Sequence, residues 1–334
     1  MSFVRSTALA FLVFPLSALA DAPNVVTDIP PVHGLVARVM QGVGAPVLLL
    51  DKGASPHDYA LRPSDAAALQ GADIVIWTGA GLAPWVSQTI DRVAPDAVSL
   101  PLSDLPQTLR LPFRQSATFE AHDHDHEIDH DHADEPHDEN HHDEVGHAED
   151  THGADDHIEA VHDGAGDDPH MWLDPENGKL WLNAIAQALS DLDPENATAY
   201  VENAAQGRAE IDATTARIVS ALAPLRDLNF IVFHDAYHYF EARFGVEAVG
   251  AIAMSDATTP SPKRIAEVRD AVDAMGVTCA LSEPQFNAKL VDTVLGDHVA
   301  ARAVIDPLGA HLDTGPQFYT ALLDHIAAAF VSCR

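Results

Sequence analysis

The sequence has few basic residues. Only 18 Lys and Arg oppose 51 Asp and Glu, which gives a formal net charge of −33 at pH 7. Nucleic acids and anionic membranes attract basic surfaces, so this balance argues against both as partners. An acidic chain is better suited to binding a cation.

Long apolar runs are also missing, since a membrane-spanning helix needs about 20 apolar residues. The apolar run near the start, Ala8 to Leu16, is shorter than that. It follows Arg5 and precedes Ala18-Leu19-Ala20, an A-x-A cleavage site. This order predicts a signal peptide at residues 1–20, export from the cytoplasm and no membrane span in the mature chain.

Cysteine is scarce, with only Cys279 and Cys333 in the chain. In an exported protein, two cysteines most often form a disulfide, because the compartment oxidises thiols. Such a bond would tie the C-terminal residues to the last domain. The alternative is a thiolate metal site formed by the same pair.

Catalytic motifs are few in the sequence. It has no G-x-S-x-G and no phosphate-binding loop, and its H-E-x-x-H match, His126 to His130, lies in a stretch rich in Asp, Glu and His with few apolar residues. A metallohydrolase would need the two histidines of that motif on one face of a helix, and this stretch has no helical apolar pattern. We therefore predict that the protein is not an enzyme.

Histidine, by contrast, is concentrated in one acidic tract at residues 120–168, which contains no Lys or Arg. With so few apolar residues, the tract is expected to be a mobile loop, and its imidazoles are expected to capture metal ions. Twelve histidines lie in it: His122, His124, His126, His130, His132, His137, His141, His142, His147, His152, His157 and His162. The first eight are the predicted auxiliary metal ligands.

Outside this tract, apolar runs alternate with helical patterns, which predicts an α/β fold of two lobes with parallel sheets. The continuous apolar run Val47–Leu50 predicts a strand buried on both faces. A helix from Asp193 to about Leu222 has no internal Pro and is predicted to be a rigid link between the lobes. The predicted division is signal peptide 1–20, N-terminal lobe 21–194 with loop 120–168, linker helix 195–222 and C-terminal lobe 223–334.

Four residues that can bind a metal ion follow apolar runs: His57, His170, His234 and Asp306. In open parallel sheets, ligands bind at the carboxyl ends of the strands, so the cleft between the lobes is the expected meeting place. Three imidazoles with one oxygen donor suit tetrahedral zinc. Two carboxylates with two imidazoles would suit manganese or iron better.

Four ordered motifs and the histidine-rich loop give the chain a family resemblance. It resembles the metal-specific periplasmic solute-binding proteins of ABC importers (cluster A-I, or cluster 9), and within them the zinc-specific branch. The motifs are Pro56–Asp65, Asp168–Pro175, Val232–Tyr237 and Ser282–Phe286. The resemblance covers essentially the whole mature chain. It implies two (β/α) lobes joined by a rigid helix, with one zinc ion between them bound by His57, His170 and His234.

The chain departs from the family pattern at one position and leaves others open. Some relatives have Glu where this chain has Pro56, so that carboxylate is absent. The fourth ligand is then Asp306 or a water molecule. His238 lies four residues after the third ligand, and its role stays open between a surface residue and a functional one. Cys279 and Cys333 fall where zinc-branch relatives carry a disulfide.

The predicted function is capture of Zn²⁺ in the periplasm and its delivery to the membrane permease of a zinc ABC importer. The protein is expected to act as a monomer and to release zinc when the importer separates the lobes. Two alternatives stay open: a manganese-binding importer component, and a free-standing periplasmic zinc buffer or chaperone.

Overall fold

The computed structural model describes residues 22–57, 59–114, 116, 118–119, 166–253, 260–284 and 301–334. The predicted signal peptide, residues 120–165 of the histidine-rich loop with all the auxiliary ligands, and residues 288–295, where the sequence pattern predicts a helix, lie outside these ranges. Their predictions are therefore not tested by the structure.

The first lobe is built on a four-stranded parallel sheet. Its strands are β1 (Val25–Thr27), β2 (Val47–Leu48), β3 (Ile74–Trp77) and β4 (Val98–Pro101), in the order β2-β1-β3-β4. All residues of β1 and β3 are buried. This is the burial expected of the central strands of a parallel sheet, which helices normally cover on both faces.

The prediction for Val47–Leu50 is wrong in one respect. Strand β2 pairs only with β1 and forms the edge of the sheet, so the Val47 side chain is 48% exposed. Leu49 and Leu50 are buried but follow the strand, and their backbone N–H groups donate to Thr27 and Asp28. An apolar run predicts a strand, but it does not predict whether neighbours flank that strand on both sides.

The second lobe repeats the first lobe's topology. Its strands are β5 (Phe230–His234), β6 (Gly250–Ala253), β7 (Cys279–Ser282) and β8 (Ala301–Val304), all parallel, in the order β6-β5-β7-β8. In each lobe the first strand in sequence lies between the second and the third. The predicted fold of two parallel-sheet lobes is confirmed.

Helices cover both sheets. They are α1 (Pro30–Val39), α2 (Pro63–Gln70), α3 (Pro84–Val93), α4 (Pro175–Leu192), α5 (Ala197–Leu222), α6 (His238–Phe244), α7 (Pro262–Ala274) and α8 (Phe318–Val331), with a 3₁₀ turn at Met171–Leu173. Five of the helices begin at a proline, where the missing N–H has no helical acceptor in any case. In the part of the chain that the structure describes, we find no helix with the length and apolarity to cross a bilayer.

Helix α5 is the predicted long helix, with 26 residues and a length of about 40 Å. Its buried residues follow the helical period predicted from the sequence and include Tyr200, Ala204, Ile211, Ile218 and Leu222. It packs against α1 and α4 of the first lobe and against α8 of the second. The helix therefore spans both lobes, while the exact domain boundaries stay a prediction.

A disulfide joins Cys279, the first residue of β7, to Cys333, which follows α8, with the Cα atoms 5.5 Å apart. The alternative of a thiolate metal site at this pair is therefore wrong. The bond closes a loop across 54 positions, which contributes about 4 kcal/mol in the chain-entropy treatment.

Candidate metal centre

Three of the four predicted ligands lie together. One nitrogen from each of His57, His170 and His234 lies within 4.8 Å of the other two. The ring centroids are 5.5 Å apart for His57 and His170, 6.1 Å for His57 and His234, and 4.9 Å for His170 and His234. Residues far apart in the chain thus converge at one point.

Each histidine is positioned by a different element. His57 lies in the loop after β2, where the Trp85 indole N–H donates to the Pro56 carbonyl at 3.1 Å. His170 precedes the 3₁₀ turn, and His234 is the last residue of β5. His170 and His234 are buried and His57 is half-buried, so His57 is the most accessible of the three.

A small cavity lies between the three rings. Its volume is about 10 Å³, close to the smallest space that holds one water molecule. Apart from the three histidines it is lined by Pro56, Trp172, Glu283, Pro307 and Leu308. The lining comes from both lobes, and the Trp172 indole N–H donates to the Pro307 carbonyl at 2.8 Å across the cleft. The size of this cavity fits a single ion.

The buried carboxylate of Asp168 positions His170. One of its oxygens accepts the backbone N–H of His170 at 3.0 Å and lies 2.7 Å from the ring Nδ1. Burial raises the pKa of Asp168 to about 7, although the His170 N–H works in the opposite direction. With Nδ1 held in this way, Nε2 is the nitrogen with which His170 can bind a metal ion.

A second buried carboxylate, Glu283, lines the cavity beside His234. Its Oε1 lies 3.3 Å from Nδ1 of His234. Glu283 belongs to the fourth family motif, Ser282–Phe286, but it was not among the site residues predicted from the sequence. The available signal was its position directly after β7, because the carboxyl ends of neighbouring parallel strands meet at one edge of the sheet.

Asp306 is not part of the three-histidine group among the described residues. Its carboxylate is buried and accepts the backbone N–H groups of Leu308 at 2.9 Å and Ala310 at 2.7 Å. The residues that reach the cavity from this segment are Pro307 and Leu308. In this structure Asp306 stabilises the turn that shapes the cavity wall, and its role as fourth ligand stays a prediction.

His238 lies outside the group but close to it. Its Nδ1 is 3.9 Å from Asp168, and its side chain is 21% exposed. Burial lowers the pKa of His238, and the nearby Arg114 guanidinium lowers it further. His238 therefore faces the carboxylate that positions His170, which a freely exposed histidine would not do.

An ion-pair cluster between the lobes was not foreseen from the sequence. Arg114, in the chain that leads to the histidine-rich loop, binds Asp235 and also Glu241, the latter at 2.6 Å. Its guanidinium lies 3.8 Å from the centre of the Phe119 ring. Burial alone would lower the pKa of Arg114, but the two carboxylates raise it overall. Asp235 follows His234 directly, so these ion pairs hold the backbone next to one of the three histidines.

Comparison with known proteins places the chain among zinc-uptake proteins. The family described as "Zinc-uptake complex component A periplasmic" matches residues 25–333. The chain is 40% identical to the high-affinity zinc uptake system protein ZnuA of Brucella abortus (strain 2308), with 98% of this chain and 96% of that protein aligned. It is also 40% identical to the protein of the same name from Paracoccus denitrificans (strain Pd 1222), over 99% and 97% of the two chains.

The fold is shared with solved structures. A crystal structure of a ZnuA deletion mutant with zinc bound superposes with a TM-score of 0.69 and covers 93% of this chain and 97% of that one. The sequence identity of this pair is 21%, so the similarity supports a shared fold and nothing more.

Proposed function

Because the chain belongs to the family of periplasmic zinc-uptake complex components, we propose that it captures Zn²⁺ in the periplasm and delivers it to the permease of a zinc ABC importer. One observation carries the proposal at the level of residues. Three imidazoles from separate parts of the chain lie within 4.8 Å of one another around a cavity the size of one ion.

The donor set favours zinc over manganese. His57, His170 and His234 offer three imidazole nitrogens, which bind zinc well, whereas manganese prefers carboxylate and water oxygens. No carboxylate belongs to this group in the described part of the chain. We assign the fourth position to a water molecule, which completes a tetrahedral site.

The neighbouring carboxylates keep the imidazoles ready to bind. Asp168 holds Nδ1 of His170, and Glu283 lies beside Nδ1 of His234. A carboxylate that accepts the ring N–H fixes the tautomer and makes the opposite nitrogen a better ligand. Both carboxylates also lower the electrostatic cost of bringing a divalent cation into a buried site.

Release would require the two lobes to separate. Trp172 donates across the cleft to Pro307, and Lys52 of the first lobe donates to the Leu312 carbonyl of the second at 2.7 Å. We propose that docking on the permease breaks these contacts and withdraws the second-lobe histidine from the other two. The site is then opened by force applied at the lobes, while its ligands stay chemically unchanged.

For segments outside the described residues, the proposal follows the sequence. Residues 1–20 direct export, and the loop at residues 120–168 collects zinc at weaker, multiple sites through its histidines. The tight site in the cleft is expected to fill first.

The decisive experiment replaces each ligand separately. His57→Gln, His170→Gln and His234→Gln should each weaken the tight zinc site by orders of magnitude, as measured by competition with a chelator of known affinity. His33→Gln is the matched control, because His33 lies on α1 and its Nε2 already contacts the Pro46 carbonyl at 3.2 Å. A ligand variant that keeps the affinity of the natural protein is not a ligand.

A reconstituted importer separates transport from buffering. Zinc-loaded protein should stimulate ATP hydrolysis by the permease complex, and the three-histidine variants should not. A tight zinc site without any stimulation would instead support the free-standing zinc buffer.

A further inference from the structure

Two histidines of the second lobe form another cluster beside the metal centre. His311 lies in the loop that follows β8, and His325 lies on α8. Their ring centroids are only 4.0 Å apart, with the ring planes inclined by 54°. The His311 side chain is 48% exposed and His325 is half-buried, so an ion can reach the pair from solvent.

The pair lies beside a cavity of its own, with a volume of about 420 Å³. Pro284, Val304, Asp306 and Ala310 complete its lining. The same two chain segments form part of both cavities. Glu283 and Pro307 line the three-histidine cavity, whereas their sequence neighbours Pro284 and Asp306 line the cavity beside His311 and His325. The two cavities are therefore adjacent but distinct.

The loop that carries His311 is held in place. Asp306 accepts the N–H groups of Leu308 and Ala310, and Gly309 adopts a left-handed conformation with φ of +62°. A side chain at Gly309 would also contact Leu312 and Phe318 at 3.0 Å. The position of His311 next to α8 is thus fixed by the turn.

The charges around the pair favour a cation. The buried Asp306 carboxylate lies 4.0 Å from Nδ1 of His311. Among the described residues, Arg217 pairs with Asp324 at 2.8 Å, and the Lys52 ammonium is directed to the Leu312 carbonyl at 2.7 Å. A negative charge behind two close imidazoles attracts a divalent ion.

We propose that His311 and His325 form a second site for a divalent cation of the zinc type, separate from the three-histidine centre. Both imidazoles bind the ion, water molecules fill its remaining positions, and Asp306 stabilises it by charge without direct coordination. With two protein ligands and access to solvent, the site binds more weakly and exchanges faster than a buried site with three. This inference goes beyond the transport function and does not depend on it.

The test follows the two rings directly in the full-length chain, by NMR of protein labelled with ¹³C at the histidine Cε1 position. Signals are assigned from the His311→Gln and His325→Gln variants. After one equivalent of Zn²⁺ has been bound, further Zn²⁺ should shift the His311 and His325 signals together. In each variant, the zinc concentration needed to shift the remaining partner should rise roughly tenfold or more, because one of two ligands is gone.

Two controls make the result decisive. His33→Gln should leave the paired shift unchanged, and both variants of the pair should keep the tight zinc site. If the His325 signal moves at the same zinc concentration with and without His311, the two rings do not share an ion and the second site is wrong. Loss of tight binding in the His57, His170 or His234 variants, tested separately, addresses the proposed transport function alone.

Discussion

Asp168 contacts His170 twice: one carboxylate oxygen lies 3.0 Å from the backbone nitrogen of His170 and 2.7 Å from its ring Nδ1. The two contacts fix both the backbone and the ring of this histidine. Tyr239 of the second lobe, whose hydroxyl donates to the backbone carbonyl of Asp168 at 2.9 Å, holds the backbone of this aspartate in turn. The orientation of one metal ligand thus depends on residues that never touch the metal.

Substituting this carboxylate should weaken zinc binding. Asp168→Asn keeps the shape but removes the charge, so the tight-site affinity is expected to fall by roughly 10- to 100-fold. Chelator competition measures the change. The neighbouring Asp167→Asn is the matched control, since the Asp167 side chain is 49% exposed and lies 3.9 Å from Arg110. Equal effects of the two variants would refute the positioning role of Asp168.

Zinc affinity should depend strongly on pH. The ligands must be neutral imidazoles, whose ordinary pKa is about 6.5, so protons compete with zinc as pH falls from 7.5 to 5.5. Burial raises the pKa of Asp168 to about 7, so its negative charge is lost over the same range and affinity falls further. A flat affinity in a zinc titration across this range would contradict a three-histidine site. Asp168→Asn should show a shallower dependence.

Asp306 and Glu283, the two buried carboxylates after β8 and β7, are expected to have different roles at the metal centre. If water is the fourth ligand, Asp306→Asn should keep zinc affinity within roughly threefold while lowering the free energy of unfolding by about 1–3 kcal/mol, because a buried N–H loses its acceptor. Glu283→Gln should lower affinity about tenfold, since it lies beside Nδ1 of His234. A loss of several orders of magnitude in Asp306→Asn would make Asp306 the fourth ligand.

The buried ion-pair cluster should be costly to break. Arg114→Met leaves Asp235 and Glu241 buried without their cation, which is expected to lower the free energy of unfolding by about 3–5 kcal/mol. Unfolding by denaturant measures this change in free energy. Lys263→Met, at an exposed pair with Glu267, should change stability little. Similar effects for both variants would contradict the role assigned to Arg114.

Asp28 should make stability depend on pH. Burial raises the pKa of Asp28 to about 6, against the N–H groups of Thr78 and Ile29, which lower it. Because the folded pKa exceeds the unfolded value near 3.8, the contribution of Asp28 is present below about pH 4 and lost as pH rises through 6. Relative to Asp28→Asn, the free energy of unfolding of the natural protein should fall by about 3 kcal/mol between pH 4 and 7. No relative change between these pH values would show that Asp28 does not titrate as described.

The sequence predicted the strands, the long helix and three converging histidines, because each follows from a local pattern. His234 ends a buried apolar run, and parallel strands bring such ends to one edge of a sheet. The four motifs and the histidine-rich loop predicted the protein family, and the comparisons with known proteins confirm it.

What the sequence did not predict depends on contacts over long distances. Asp306 and Glu283 both follow strands, and only the path of the turn decides that Glu283 faces the cavity. Arg114 meets Glu241 across 127 positions, a pairing for which no local pattern exists. The exposure of Val47 likewise reflects the order of the strands, which an apolar run does not reveal.

Helix α5 is held along its length by both lobes, since it packs against α1 and α4 of the first lobe and α8 of the second. A sharp bend in a continuous helix of 26 residues disrupts its backbone hydrogen bonds, whereas sliding packed side chains does not. The separation of the lobes that releases the ion is therefore expected to be small, because this helix opposes a wide rotation of one lobe away from the other.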